Sequence, residues 1–275
     1  MTLTVTSVNL NGIRAAHKRG FLSWLHVSDT DVLLVQEVRA PEEISREIMG
    51  EEWDSVWVPC RIKGRAGVGV AVRRGRARID GEPRLVLDDA ESDVDSGRWL
   101  EATVSREGGD TPVRVVSAYF HSGEKDTPKQ DAKMAHLPRI GNRMAELIAE
   151  EANGGVSSLV CGDFNVVRSR CDIKNWTPNH NKRAGVLDEE IAFLNRWVDE
   201  GWRDTVRDLA GDTQGPYSWW SWRGQAFVNN AGWRIDYQYA TPRLGALARS
   251  FDIGRAPEYD ARFSDHAPVS VTYDI

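Results

Sequence analysis

Cysteine is scarce in this chain: Cys60, Cys161 and Cys171 are the three in 275 residues. An odd number without CxxC spacing argues against a disulfide framework and against a zinc site, and fits a reducing cytoplasmic compartment. No apolar run approaches the roughly 18 residues that a membrane-spanning helix needs, so no membrane partner is expected. The first residues lack a basic-then-apolar leader, so no signal peptide is expected. Pro/Gly/Ser linkers, low-complexity tracts and short-period repeats are missing too, and one domain over residues 1–275 is the expectation. A domain near this size buries roughly three quarters of its unfolded surface, enough for a substantial core. Positive charge is not in excess either: 35 Lys and Arg against 41 Asp and Glu leave a net charge of −6. That excludes a bulk polycation but not nucleic acid, because binding follows where the positive charge lies.

What the chain does have is a repeated irregularity. Short apolar runs end in polar or charged groups: Leu3-Thr4-Val5 leads to Asn9 and Asn11, Val32-Leu33-Leu34-Val35 to Glu37, and Ser158-Leu159-Val160-Cys161 to Asp163. Trp233-Arg234-Ile235-Asp236-Tyr237 and Ser264-Asp265-His266-Ala267-Pro268 do the same near the C-terminus. An unpaired buried charge costs several kcal/mol, so strand-like runs that keep ending this way point to a site.

Residues 3–10 alternate as a half-buried strand, and residues 31–36 form a continuous apolar run that reads as a central strand. Between them, residues 13–27 carry Phe21, Leu22, Trp24 and Leu25 at helical spacing. Pro41-Glu42-Glu43 opens a short helix, with proline suited to its first position and acids to its dipole. Further strands are expected at 53–59, 67–72, 98–104, 112–119, 157–161, 217–222, 234–240, 246–253 and 269–273. Residues 98–119 form a hairpin around Gly108-Gly109 in this reading. Residues 128–152 show an amphipathic helix with Leu137, Ile140, Met144, Leu147 and Ile148 on one face. Pro138 should kink or divide it. Residues 188–200 are also helical. Strands outnumber helices in both halves, which favours two packed sheets with helices outside over a single doubly wound sheet.

Charge is unevenly spread. Residues 61–78 hold seven Lys and Arg and no acid, while residues 88–95 hold five acids and no base. The basic stretch reads either as a solvated rim or as a phosphate-facing patch; the acidic one should lie on the far side or the periphery. Residues 166–186 carry five Lys and Arg and one Asp, with Pro, Asn and Gly throughout. Loops this long in a compact domain are usually functional.

Together, Asn9-Leu10-Asn11-Gly12-Ile13-Arg14, Gln36-Glu37, Gly162-Asp163-Phe164-Asn165, Gly232-Trp233-Arg234-Ile235-Asp236-Tyr237 and Ser264-Asp265-His266-Ala267-Pro268 resemble the ordered motifs of the exonuclease III type of abasic-site endonuclease. That group is related to DNase I-like nucleases and inositol phosphatases. The resemblance spans nearly the whole chain. It implies an α/β fold, a four-layer α/β sandwich of two mixed sheets flanked by helices. It implies hydrolysis of the DNA backbone 5′ to abasic sites, with 3′–5′ exonuclease or 3′-end-cleaning activity on double-stranded DNA; a monomer is the default expectation. It also implies magnesium, with manganese as a substitute, as one ion or two.

By the same resemblance Glu37 is the principal metal ligand, with Asn9 and Asp265 completing the shell and Asp163 and Asn165 close to it. Asp163 orients or deprotonates the attacking water, and Asn165 holds that water. Asp236 fixes His266 and favours its cationic ring, which donates to the phosphate. Tyr119 contacts the phosphate or donates a proton. Trp219, Trp233 and Ile235 align with the slot for a flipped abasic sugar, while Trp220 reads as core. Arg223, within Trp222-Arg223-Gly224-Gln225, stands where the family wedges into the opened duplex. Arg65, Lys125 and Asn175, with the basic stretches 61–74 and 168–183, are the expected backbone contacts. Two departures matter. His121-Ser122 replaces the usual Pro followed by Asn or Gln after the tyrosine, and Asn11 replaces an Asp that some members use beside the metal. Rival readings are a phosphatase for a small phosphorylated molecule or lipid head group, and a DNA-binding relative without activity.

Overall fold

Successive residues of a strand point to opposite faces, so parity along each strand decides which side chains meet. A computed structural model describes residues 2–275. In chain order it contains β1 (Thr2–Asn9), α1 (Ile13–Lys18), α2 (Phe21–Val27), β2 (Val32–Gln36), α3 (Glu42–Met49), β3 (Trp53–Val58), β4 (Val68–Arg73), β5 (Ala77–Arg84), β6 (Trp99–Arg106) and β7 (Val113–Tyr119). Then follow α4 (Pro128–Ala152), β8 (Ser157–Asp163), α5 (Trp176–Asn179), α6 (Asp188–Asp199), β9 (Arg203–Asp204), α7 (Thr205–Ala210), β10 (Asp236–Ala240), α8 (Pro242–Gly245), β11 (Ala248–Ile253) and β12 (Val269–Asp274).

The strands make two six-stranded mixed sheets, ordered β11-β12-β1-β2-β4-β3 and β5-β6-β7-β8-β10-β9. Leu3, Val5, Val32, Leu34, Val70, Val115, Leu159 and Val271 fill the space between them. Opposite-parity residues face outward. Val8, Leu33 and Val35 pack under α1, α2 and α3, and Val116, Val160 and Tyr239 pack under α4 and α6. The layers run helix, sheet, sheet, helix, which is the expected four-layer sandwich.

Following the inward parity to the strand ends explains the irregularity in the sequence. Leu3 and Val5 are succeeded on the same face by Ser7 and Asn9, Val32 and Leu34 by Gln36, Val113 and Val115 by Ser117 and Tyr119, and Leu159 and Cys161 by Asp163. Register aligns these ends: Asn9 sits opposite Gln36, Tyr119 opposite Asp163, and Asp236 opposite Asp163. Beneath them, Gln36 Nε2 donates to Ser117 Oγ at 3.0 Å and Ser7 Oγ at 3.2 Å. The two sheets therefore share a satisfied polar floor at one end of an otherwise apolar gap.

Several local expectations need correction. Residues 217–222 form no strand; Trp219 makes only isolated bridges to Trp233 and His266. The helical run 13–27 is two helices, parted at Gly20 with φ 94°. Pro138 does not divide α4, which runs unbroken for 25 residues. Leu137, Ile140, Met144 and Leu147 anchor it on both sides of the proline. The stretch 166–186 is not all loop, since it includes a 3-10 turn at Arg170–Asp172 and helix α5. Strand β5 was not foreseen; it is a sheet edge with a register shift between Asp80 and Arg84, which accommodates Gly81 and Pro83.

Candidate active site

At the polar end of the inter-sheet gap, Asn9 from β1 ties two carboxylates together. Its Nδ2 donates to Glu37 Oε1 at 2.8 Å and to Asp163 Oδ2 at 2.9 Å. Asp163, fully buried at the end of β8, also receives Asn165 Nδ2 at 3.1 Å and the Asn165 backbone N–H at 2.9 Å. Beyond it lies His266, with Nε2 3.7 Å from Asp163 and Nδ1 2.8 Å from Asp236 Oδ2. Ser218 Oγ donates to that same Asp236 oxygen at 2.6 Å. Asp265 receives Asn11 Nδ2 at 2.8 Å and the Trp219 indole N–H at 3.1 Å. Residues separated by some 250 positions thus meet in one polar cluster, hydrogen-bonded except at the 3.7 Å contact between Asp163 and His266.

The backbone around them is held in unusual conformations. Asn11, Glu37, Arg39 and Asn165 have φ of 48°, 50°, 52° and 52°. Non-glycine residues reach this left-handed region only at some cost, and such residues cluster at functional sites. Gly162 precedes Asp163 at φ 144°, and a Cβ there would collide with the Ala118 carbonyl.

Burial and charge set the ionisation. Burial pushes the Asp163 carboxyl up, and Asp236 and Glu37 add to this against His266 and Asn9, bringing it to about 7. Burial works against a charged His266, but Asp236 and Asp163 outweigh it and raise the imidazolium to about 10. The Tyr119 hydroxyl is driven well above its ordinary value by burial and by the Glu37 and Asp163 charges, so it stays a phenol. Arg98 stacks 4.8 Å over the Tyr119 ring.

The Endonuclease/Exonuclease/phosphatase family matches residues 6–266. The exodeoxyribonuclease of Streptococcus pneumoniae serotype 4 is 34% identical over 275 residues, covering 95% of this chain and 93% of its own. That of Bacillus subtilis strain 168 is 29% identical, covering 99% and 100%. The chain belongs to this family. An AP endonuclease structure from Archaeoglobus fulgidus superposes with a TM-score of 0.81 over 99% of this chain and 100% of that one, at 22% identity, which bears on the fold alone.

In this exodeoxyribonuclease-type hydrolase the aromatic residues lie directly beside the carboxylates. Trp219 and Trp233 meet edge to face with ring centres 5.6 Å apart, and both pack on buried Ile235. Trp220 is buried instead against Phe227. Trp222 lies between Arg19 and Arg262, with their guanidinium carbons 5.0 Å and 4.0 Å from its ring centre, and Arg223 projects from the same loop into solvent. Arg65, Lys125 and Asn175 are exposed, with Lys125 2.8 Å from Asp126. Arg65 lines a cleft with Arg14, Arg39, Arg61 and Lys63.

Other parts of the basic stretches serve the fold. Arg74 pairs with Asp54, Arg76 with Asp31, and Arg73 with Glu52 while it stacks on Trp53. Arg61 pairs with Glu91 and Asp93, so the acidic stretch is bound to the basic one. Asp95 is buried, 2.9 Å from both His121 and Arg139, just behind the segment that follows Tyr119. Sequence reasoning also missed Arg39, whose guanidinium pairs with Glu37, and Ser218 on Asp236. It missed buried Arg234, held by Asp172 at 2.6 Å and Asp204 at 2.8 Å. An arginine between Trp233 and Ile235 was the available signal.

Asp163, Asp236 and His266 each offer a ligand atom within 4.8 Å of the others, close enough to hold a metal ion. Both nitrogens of His266 face carboxylates and the ring is held cationic, whereas a ligating imidazole must be neutral. Glu37, Asp265 and the Asn9 amide oxygen are hard donors of the kind magnesium takes.

Proposed function

We propose that this chain is a metal-dependent DNA repair phosphodiesterase. It cuts the backbone of double-stranded DNA 5′ to abasic sites and trims or cleans 3′ ends, acting in the cytoplasm as a monomer with residues 1–275 as one domain. The observation that carries the reading is the polar chain in which hydrogen bonds join Glu37, Asn9 and Asp163 and join His266 to Asp236, with a 3.7 Å contact between Asp163 and His266 and the Trp219–Trp233–Ile235 surface beside it.

Glu37, Asn9 and Asp265 would hold a magnesium ion, or manganese in its place. The bound ion supplies charge neutralisation at the phosphoryl oxygens and at the leaving oxygen. Asp163, raised towards neutrality by its buried setting, accepts the proton of the attacking water, and Asn165 orients that water. His266, kept cationic by Asp236, donates to a phosphate oxygen through Nε2. Tyr119 remains a proton donor facing the same phosphate. The slot excludes a normal nucleotide by size and accepts a sugar whose base is gone, where flipping costs least. Exposed Arg65, Lys125, Asn175 and Arg223 meet the backbone and the opened duplex.

Relative turnover on an abasic-site duplex and on an inositol phosphate tests the substrate class. Incision of the duplex with no release of phosphate from the inositol compound is expected. The reverse would assign the chain to small-molecule phosphatases, and activity on neither would leave a DNA-binding protein.

A further inference from the structure

Lys133 stands on the apolar stripe of α4, on the face that carries Leu137 and Ile140, and its side chain is completely buried. Its Nζ lies 2.7 Å from Glu190 Oε1, at the start of α6, and that carboxylate is equally buried. The other donors of the ammonium go to the Asn165 carbonyl at 2.9 Å and the Ser122 carbonyl at 3.4 Å. Those two carbonyls belong to the segments that follow Tyr119 and Asp163. Glu190 Oε2 in turn accepts the backbone N–H of Gly185 at 2.6 Å and of Leu187 at 3.2 Å. Gly185 packs on the other side of the Asn165 carbonyl, since a Cβ there would lie 2.8 Å from that oxygen and 3.2 Å from the Trp233 ring.

A buried ion pair is a poor source of stability, because replacing both partners with uncharged groups is often neutral or favourable. Its worth here lies in what it holds. Asn165 sits at φ 52°, a conformation that needs support from its surroundings, and its Nδ2 must reach Asp163. We propose that Lys133, fixed by Glu190, is a positioning residue that locks the Asn165 and Ser122 carbonyls and so keeps the Asn165 amide aimed at Asp163. The proposal rests on the nuclease reading of the site, but its geometric part is separable from it.

Lys133→Met alone leaves Glu190 buried and unpaired, so the test uses Lys133→Met with Glu190→Gln, which removes both charges and keeps an acceptor for Gly185. With magnesium and an abasic-site duplex, kcat is expected to fall tenfold to a hundredfold while KM changes less than threefold and the thermal midpoint stays within a few degrees. A folded double variant with kcat within twofold of wild type, or with the loss carried by KM, overturns the proposal. Lys133→Gln, whose amide reaches one carbonyl at most, is measured by the same criteria should the double variant not fold. Should wild type itself fail to incise, the functional reading has failed. The positioning is then read from the Asn165 side-chain amide resonance of the metal-free chain, which must move in the variant; an unmoved resonance overturns it.

Discussion

His266 stands between two carboxylates, 2.8 Å from Asp236 through Nδ1 and 3.7 Å from Asp163 through Nε2. The two contacts differ in kind. Asp236 has an inward hydrogen bond from Ser218 and serves to orient and charge the ring, whereas Asp163 reaches the ring and, through Asn9, Glu37. Asp163 is therefore the group whose loss should separate chemistry from binding. Asp163→Asn is expected to reduce cleavage by about two to four orders of magnitude. Affinity for an abasic duplex, measured by fluorescence anisotropy, should stay within about tenfold of wild type, because phosphate contacts dominate it. Unchanged turnover would remove Asp163 from the mechanism.

Trp233 faces Trp219 edge to face and touches neither Asp163 nor His266 by hydrogen bond. Trp233→Ala should lower incision at abasic sites on the order of tenfold more than 3′ trimming, since loss of the slot wall removes apolar contact with the flipped sugar. Parallel initial rates on an internal abasic site and a plain 3′ end give the comparison. Equal losses would argue against the slot.

His121 and His136 give the fold an acid-sensitive element apart from the Glu37–Asp163 cluster, with His121 held by Asp95. Their rings lie 5.1 Å apart, edge to face. Burial, with Arg98 and Lys133 nearby, lowers His121 to about 4 in spite of Asp95. Burial and His121 lower His136 to about 3. In the unfolded chain both titrate near 6.5, so below that pH the unfolded state binds protons that the folded state refuses. Their contribution to stability is complete above pH about 6.5 and is lost as pH falls towards 4, on the order of 3 kcal/mol for His121 alone. Urea titrations between pH 7 and 4.5 should show this fall, and His136→Leu should make it shallower. A variant with the wild-type slope would contradict the assignment.

Arg234 shares Asp172 with Arg207 and Asp204 with Arg168, joining the 166–186 stretch to the start of β10. Arg234→Met should destabilise the fold by about 3–5 kcal/mol, because it leaves buried carboxylates short of a partner. Chemical denaturation measures it. A loss below about 1 kcal/mol would mean that the remaining arginines satisfy both acids.

The reach of the sequence is clearest at the strand ends. Asn9, Glu37, Asp163 and Asp236 interrupt apolar patterns that carry the sandwich, so both fold and site were legible there. Lys133 left a weaker trace, a lysine on the stripe of Leu137 and Ile140. Residues 217–222 looked like a strand because Tyr217, Trp219, Trp220 and Trp222 are of the aromatic type enriched in strands, yet no neighbour is aligned to form a ladder beside them. The partner of Arg61 stands 30 residues away at Glu91, and that of Arg76 at Asp31, so nothing local marks these charges as structural. Strand β5 was hidden by Gly81 and Pro83, which an edge position tolerates.

The most direct test of a single metal-dependent centre is incision of a duplex carrying one abasic site, with magnesium, with EDTA, and after magnesium is restored. The account predicts a cut on the 5′ side of the site that leaves a 3′ hydroxyl, stops with EDTA and returns with the metal. A cut that persists in EDTA, or none under any of the three conditions, would contradict it.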